Sequence, residues 1–309
     1  MTSRTAARRL LIIFNPAAGW RRRRRLAPVL AQLRAHGCAV VLRETERPGD
    51  AERFAAEADP AAWDLVVAAG GDGTVNEAIN GLAHSGLPLA LIPLGTANVL
   101  AAEIGLSTDP AAVARCVAFG QPRPIALGAA NGRRFLLMAG AGFDARVVAG
   151  VSGPMKRWLG KGAYVLSALR ELLVFDFPGY EVRTDNMVHH AASVIVANAR
   201  HYAGRFVCAP EASLESDTLQ VCLFERRGRL AAVGYSVALV TGRLPDLASY
   251  RVIEARRIEI RGRPGEPLQG DGDVIGQLDV AIEVLPGALD LIYPATTSDG
   301  SAPSASVPA

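Results

Sequence analysis

The sequence predicts two domains in series, an α/β N-terminal domain built on a parallel sheet and a mainly antiparallel domain after it. Over about the first 120 residues, short apolar runs alternate with helical patterns. After about residue 122 the alternation gives way to strand-like segments separated by turn residues. With 309 residues, half of them hydrophobic, the chain can bury a core in each domain. The expected division is 1–125 and 126–294. The remaining 295–309, ATTSDGSAPSASVPA, lacks large apolar side chains and is expected to be a disordered tail.

In the first domain, LLIIF (10–14), CAVVL (38–42), WDLVVAA (63–69) and LALI (89–92) read as strands. Helical patterns fall near 21–35, 50–58, 75–83, 98–104 and 110–119. Alternation of this kind implies a parallel sheet covered by helices, and such sheets bind ligands at the carboxyl ends of their strands. The residues after those ends are therefore informative. LLIIF leads into NPAAG, WDLVVAA into GGDGT and LALI into PLGTAN, so three polar loops rich in small residues converge on one edge. Gly70, Gly71 and Gly73 leave backbone amides uncovered beside a helix N-terminus, which suits an anion such as a triphosphate. A plainer reading of the same stretch is a capping box between Thr74 and Glu77. Neither G-x-x-x-x-G-K-[ST] nor a G-x-G-x-x-G after the first strand is present, so neither a lysine-bearing phosphate loop nor a dinucleotide fold is indicated.

Composition excludes several classes. A net charge of +3 does not mark a general nucleic-acid binder, although Arg21 to Arg25 form an unbroken run, read first as a solvated helix face. The four cysteines, at 38, 116, 208 and 222, are far apart, and the five histidines make no zinc-type pair. LLIIF is cut off by Asn15-Pro16, unlike a signal peptide, and no apolar run reaches the ~18 residues of a membrane span, so a soluble cytoplasmic protein is expected.

In the second domain RRFLLMAG, HHAASVIVANAR, TLQVCLFE, RRIEIRG and VAIEVLPGALDLIY are strand-like, with helical patterns near 154–174 and 229–242. PLQGDGDVIG (267–276) is its most acid-dense turn. An aspartate set between glycines can act on an attacking hydroxyl, and an Asp-Gly pair is equally a common hairpin turn.

NPAAG, GGDGTVNEAINGL, PLGTANVLA and GDGD, in this order, resemble the diacylglycerol kinase catalytic-domain family, which includes soluble bacterial lipid kinases and sphingosine kinases. The resemblance runs to about residue 294. It implies a phosphofructokinase and NAD kinase-like α/β domain followed by a β-sandwich carrying the lipid site, and an activity that phosphorylates a lipid hydroxyl from ATP with Mg²⁺. Carried over by motif, Asn15 and Gly19 lie in the first nucleotide loop and Thr45 follows the second strand. Gly70, Gly71, Asp72, Gly73, Thr74, Val75, Asn76 and Glu77 hold phosphates, and Gly95, Thr96 and Asn98 complete the site. Asp271 is expected to be the general base, with Asp273 beside it as a second acid. The family's structural magnesium stretch corresponds to SDTLQV (216–221), where Ser216 and Gln220 replace both acids. Only Asp217, with the backbone of Leu219, remains as a doubtful ligand set.

Two other readings stay open, an NAD kinase-like enzyme and a catalytically silent lipid-binding protein of the same fold. A membrane partner is suggested by the stripe of Met155, Trp158, Leu159, Val165, Leu166, Leu169, Leu172 and Leu173, with Lys156, Arg157, Lys161 and Arg170 off it. Such a helix either lies on anionic lipid or packs its stripe on the core.

Overall fold

The computed structural model describes residues 8–16, 20–151, 161–185 and 187–295. Gly19, the 296–309 part of the expected tail and the 155–159 part of the apolar stripe lie outside them. Strands β1 (Arg9–Phe14), β2 (Ala39–Glu44), β3 (Leu65–Gly70) and β4 (Leu89–Pro93) form a parallel sheet in the order β2-β1-β3-β4. β1 from Leu10 onward and all of β3 and β4 are buried, which is why they read as unbroken apolar runs. Helices α1 (Trp20–Ala35) and α5 (Pro110–Phe119) pack together, as do α2 (Asp50–Ala56) and α3 (Asp72–Gly81), and the short α4 (Val99–Glu103) follows β4.

The second part of the chain does not stand apart from this sheet. Its last strand, β18 (Val280–Tyr293), pairs parallel with β4 at Leu291 and Leu89 and antiparallel with β5 (Gln121–Ala130) along most of its length. β6 (Arg133–Phe135) joins β5, while β15 (Arg257–Arg261), β8 (Tyr180–Arg183) and β9 (Val188–Ala191) extend the sheet from β18. A six-stranded antiparallel sheet lies against it in the order β14-β13-β10-β7-β16-β17. These strands are Tyr250–Ala255, Leu219–Phe224, Ser193–Ala197, Met138–Ala141, Pro267–Gly270 and Asp273–Gln277. A buried cluster that includes Phe135, Tyr180, Val194, Val221, Ile258 and Ile282 fills the space between the two sheets. HHAASVIVANAR, read as one strand, divides at Ala192 between them.

Helix α6 (Phe143–Ala149) follows β7, and α7 (Lys161–Val174) and α8 (Arg229–Val240) are neighbours, tied by a 2.6 Å hydrogen bond from Arg229 Nη2 to the Leu173 carbonyl. A small hairpin, β11 (His201–Tyr202) with β12 (Phe206–Val207), sits against α4. α7 is amphipathic in the reverse sense. It buries Ala163, Ser167 and Glu171 and turns Val165, Leu166, Leu169, Leu173 and Val174 to solvent. Of the expected stripe, the part among the described residues faces solvent at Val165, Leu166, Leu169 and Leu173, with Leu172 half-buried.

Candidate active site

The three loops at the carboxyl ends of β1, β3 and β4 meet as expected. Asn15, just past β1, donates from Nδ2 to Thr74 Oγ1 at 3.1 Å. Thr45, buried past β2, donates its amide to the Phe14 carbonyl beside it at 2.9 Å. Gly71 is the N-cap of α3, so this helix starts three residues before the expected 75 and takes Asp72 and Gly73 into its first turn. Helix geometry leaves those first amides without carbonyl partners inside the helix, as an anion site requires.

The capping-box reading fails, because Thr74 is engaged by Asn15 and Glu77 Oε2 instead accepts from the Ala51 amide of α2 at 3.1 Å. Glu77 therefore fastens two helices. Val75 is a core residue. Asp72 turns toward α4 and accepts from the Leu100 amide at 3.4 Å, and burial pushes its pKa upward against the pull of backbone donors at that helix's start. It joins the second loop to the third.

That third loop approaches the second at a backbone contact. A Cβ built on Gly95 would lie 2.6 Å from Gly71 Cα and 2.7 Å from Asn98 Oδ1, so only glycine allows the loops to touch. Asn98 takes a left-handed conformation, φ 48°, and donates Nδ2 to the Gly95 carbonyl at 3.0 Å. Its Oδ1 is buried without a hydrogen-bond partner among the described residues, while Thr96 is exposed at the rim.

The arginine run is only partly a solvated face. Half-buried Arg22 and exposed Arg25, on one side of α1, donate to the carbonyls of Asn15 and Pro93, each at 3.1 Å. Burial lowers the Arg22 pKa, with Arg25 adding repulsion. Two cations thus stand beside the loops after β1 and β4, and their spacing of three residues on a helix was the signal available for them.

The second domain delivers the GDGD turn, between β16 and β17, onto α3. Asp271 has φ 51°, and both oxygens of its carboxylate are occupied. Oδ1 accepts from the amides of Leu137 at 2.8 Å and Met138 at 3.0 Å. Oδ2 accepts from the Leu136 amide at 2.7 Å and from Asn76 Nδ2 at 2.8 Å. Burial pushes its pKa up and the four donors oppose that. The sequence offered an aspartate able to act on an attacking hydroxyl, or a plain hairpin turn. The structure shows a clamp joining α3 to the β6–β7 connection. Asp273 is exposed, and its Oδ2 lies 3.2 Å from where a Cβ on Gly73 would stand, so a second carboxylate borders the first turn of α3. The three backbone donors on Asp271 were illegible in the sequence, since an amide leaves no side-chain signature.

The second metal site, already doubted because Ser216 and Gln220 replace both acids, does not fit its residues. Asp217 is ion-paired with Arg256, and Gln220 Nε2 donates to Glu254 Oε1 at 2.9 Å. Leu219 is wholly buried in β13, paired with Ala255. A guanidinium and an amide already satisfy both acids, and the described residues hold no group of three acidic, histidine or cysteine side chains able to bind a metal ion.

Comparisons with known proteins agree with the geometry. The diacylglycerol kinase catalytic domain family matches residues 9–130, and the YegS C-terminal NAD kinase beta sandwich-like domain matches 138–293. A Pseudomonas putida protein described as "probable lipid kinase YegS-like" is 31% identical over 275 residues, covering 86% of this chain and 89% of its own. The diacylglycerol kinase of Bacillus subtilis is 28% identical, covering 88% and 91%. A crystal structure of a diacylglycerol kinase from Bacillus anthracis superposes with a TM-score of 0.74 at 26% identity, covering 94% of this chain and 98% of that one. Fold, sequence and relatives converge: the chain belongs to the family of diacylglycerol kinases and YegS-like lipid kinases.

Proposed function

We propose that the protein is an ATP-dependent kinase that transfers a γ-phosphate to a lipid hydroxyl. The observation that carries this reading is the meeting of the α3 N-terminus, the Gly71–Gly95 contact and the Asp271 clamp at one place. The amides of Asp72 and Gly73 would receive phosphate oxygens, with Asn98, Thr96 and the cations Arg22 and Arg25 around them. Magnesium arriving with the nucleotide would neutralise phosphate charge. Phosphoryl transfer asks the protein chiefly for positioning, which rigid loops at strand ends supply.

Asp271 is the proposed proton acceptor. Three of its four donors are fixed backbone amides and the fourth is the Asn76 side chain. Rotation of Asn76 opens one lone pair on Oδ2, where an acceptor hydroxyl can place its proton. Asp273, beside Gly73, orients the hydroxyl or the metal-bound phosphate from the other side.

A lipid acceptor must be lifted from a bilayer. Among the described residues no helix is long and apolar enough to cross a membrane. On the neighbouring α8, Leu230, Val233, Val237 and Val240 are likewise exposed. Exposed Arg170, Arg226, Arg227, Arg229 and Arg243 lie on or beside these helices. An apolar face with a basic rim fits transient contact with an anionic membrane. Tyr164, on the same α7, donates its hydroxyl to the Gly272 carbonyl at 3.3 Å and so connects this face to the Asp271 turn.

The test is a purified-protein assay with γ-labelled ATP and Mg²⁺, offering NAD, diacylglycerol, monoacylglycerol and a sphingoid base. Label in a lipid product is expected. Label in NAD alone would replace this reading with the NAD kinase one, and label in nothing, with ATP bound, would point to a silent lipid-binding protein.

A further inference from the structure

The turn that carries Asp271 is fastened by side chains outside the transfer step. Asp271 and Gly272, the two residues between β16 and β17, both take left-handed conformations, with φ 51° and 85°. Glycine accepts that conformation freely and aspartate at a cost, so this hairpin turn needs holding. Asp271 donates its amide to the Met138 carbonyl at 2.9 Å, and the Gly272 carbonyl accepts from Tyr164. The Gly272 amide, between the two acids of the turn, donates to Gln269 Oε1 at 3.0 Å.

Gln269 is buried in β16, and the other end of its amide decides which way it points. It pairs with Gly140 of β7, where a Cβ would lie 3.1 Å from Gln269 Nε2 and 2.8 Å from Asp144 Oδ2. A bare position there lets the amide meet the carboxylate, which stands in the first turn of α6. Asp144 Oδ1 accepts from the Tyr202 hydroxyl of the β11 strand, and its Oδ2 is sealed from water. Burial pushes the Asp144 pKa up, and the Tyr202 and Gln269 donors oppose that. An ionised carboxylate only accepts and a backbone amide only donates. One orientation of the glutamine therefore satisfies both ends, with Nε2 toward Asp144 and Oε1 toward Gly272.

We propose that Asp144 is a positioning residue for the transfer step: acting through Gln269, with Tyr202 behind it, its charge fixes the Asp271–Gly272 turn and so the placing of the base and of Asp273. Its effect on transfer rests on the lipid-kinase reading, whereas its hold on the turn does not. Asp144→Asn removes the bias. An asparagine can offer its own Nδ2 to Gln269 Oε1, the glutamine then turns over, and an NH₂ group confronts the Gly272 N–H. Adding Gln269→Glu to Asp144→Asn exchanges the two groups and restores the pattern, because the glutamate accepts from the asparagine at one end and from Gly272 at the other.

The experiment compares the full chain with Asp144→Asn, Gln269→Leu, Tyr202→Phe and the double variant Asp144→Asn/Gln269→Glu. Hydrogen exchange at the Gly272 amide, followed by NMR, reports on the turn without any substrate. It should quicken by about tenfold or more in Asp144→Asn and Gln269→Leu and return toward the parent in the double variant. The kcat for lipid phosphorylation should keep the same order, falling about 10- to 100-fold in the first two, the scale of a misplaced catalytic group, while the KM for ATP holds. Tyr202→Phe, which deletes one oxygen and reports even where Gln269→Leu fails to fold, should lie between them and the parent. A cluster that only supports the fold would lower the melting temperature, leave the kcat of folded enzyme at the parent value and give the double variant no advantage. Parental exchange and kcat in Asp144→Asn, or a double variant no better than Asp144→Asn alone, would overturn the proposal. A parent inert on every lipid overturns the lipid-kinase reading instead, and the exchange rates then decide whether Asp144 holds the turn.

Discussion

Replacing Asp271 by asparagine separates a base from a clamp, and the structure says that the residue is both. The substitution turns one acceptor oxygen into an amide donor. Placed at Oδ1, that amide confronts the Leu137 and Met138 N–H groups; placed at Oδ2, it confronts Leu136 N–H and Asn76. The second arrangement is the better one, because Asn76 can flip its own amide, and it still leaves one backbone N–H unpaired. An unsatisfied buried donor costs about 1–3 kcal/mol, and the bonds that remain lose the strength a charged acceptor gives them, roughly 1 kcal/mol each. The total is about 3–5 kcal/mol. At ~2–4 °C per kcal/mol for chains of this class, melting should fall by roughly 6–20 °C. Because Asn76 sits on α3, nucleotide affinity should weaken too. Scanning calorimetry and ATP titration of Asp271→Asn, with Asp273→Asn as the exposed control, measure both effects. An inactive Asp271→Asn variant that melts within a degree or two of the parent and binds ATP normally would refute the clamp and leave a base alone.

Three further outcomes follow from the same coordinates. Gly95→Ala should wedge the second and third loops apart at Gly71 and lower ATP affinity by about 10- to 100-fold, the scale of 1–3 kcal/mol of overpacking, as calorimetric titration would read. Leu169→Asp combined with Leu230→Asp alters only exposed positions, so melting should hold while sedimentation with anionic vesicles drops by tenfold or more, at ~1.5–3 kcal/mol per inserted leucine; activity on a soluble short-chain acceptor should persist. Equal loss on vesicle-borne and soluble acceptors would make that face structural. Chelation by EDTA should stop the proposed transfer, for which magnesium would accompany ATP, and leave the melting temperature unchanged, because Arg256 and Gln220 already pair with Asp217 and Glu254.

Which features were legible in the sequence follows from what each depends on. β1, β3 and β4 are buried on both faces, so their apolar runs announced them, and the loops after them were found by position alone. The early start of α3 was hidden because Gly73 has poor helix propensity, and what holds that turn is long-range, an Asp72 carboxylate reaching α4. The pairing of β18 with β4 joins residues about two hundred apart and leaves no local mark. The clamp on Asp271 is similarly silent, since three of its four donors are main-chain. α7 shows where periodicity stops informing. Its apolar stripe was visible, but a stripe states only that one face differs from the other. Which face is inside was decided by partners elsewhere in the chain. Ser167 donates to the Val147 carbonyl at 2.7 Å, and Glu171 pairs with Arg146 at 3.3 Å, so the polar side has bonds waiting within the fold. The leucines have none there, and a fold that sends them outward exposes apolar surface at a cost unless something covers it. In a family of diacylglycerol and lipid kinases, the membrane contact proposed above accounts for the inverted helix better than a packing fault does.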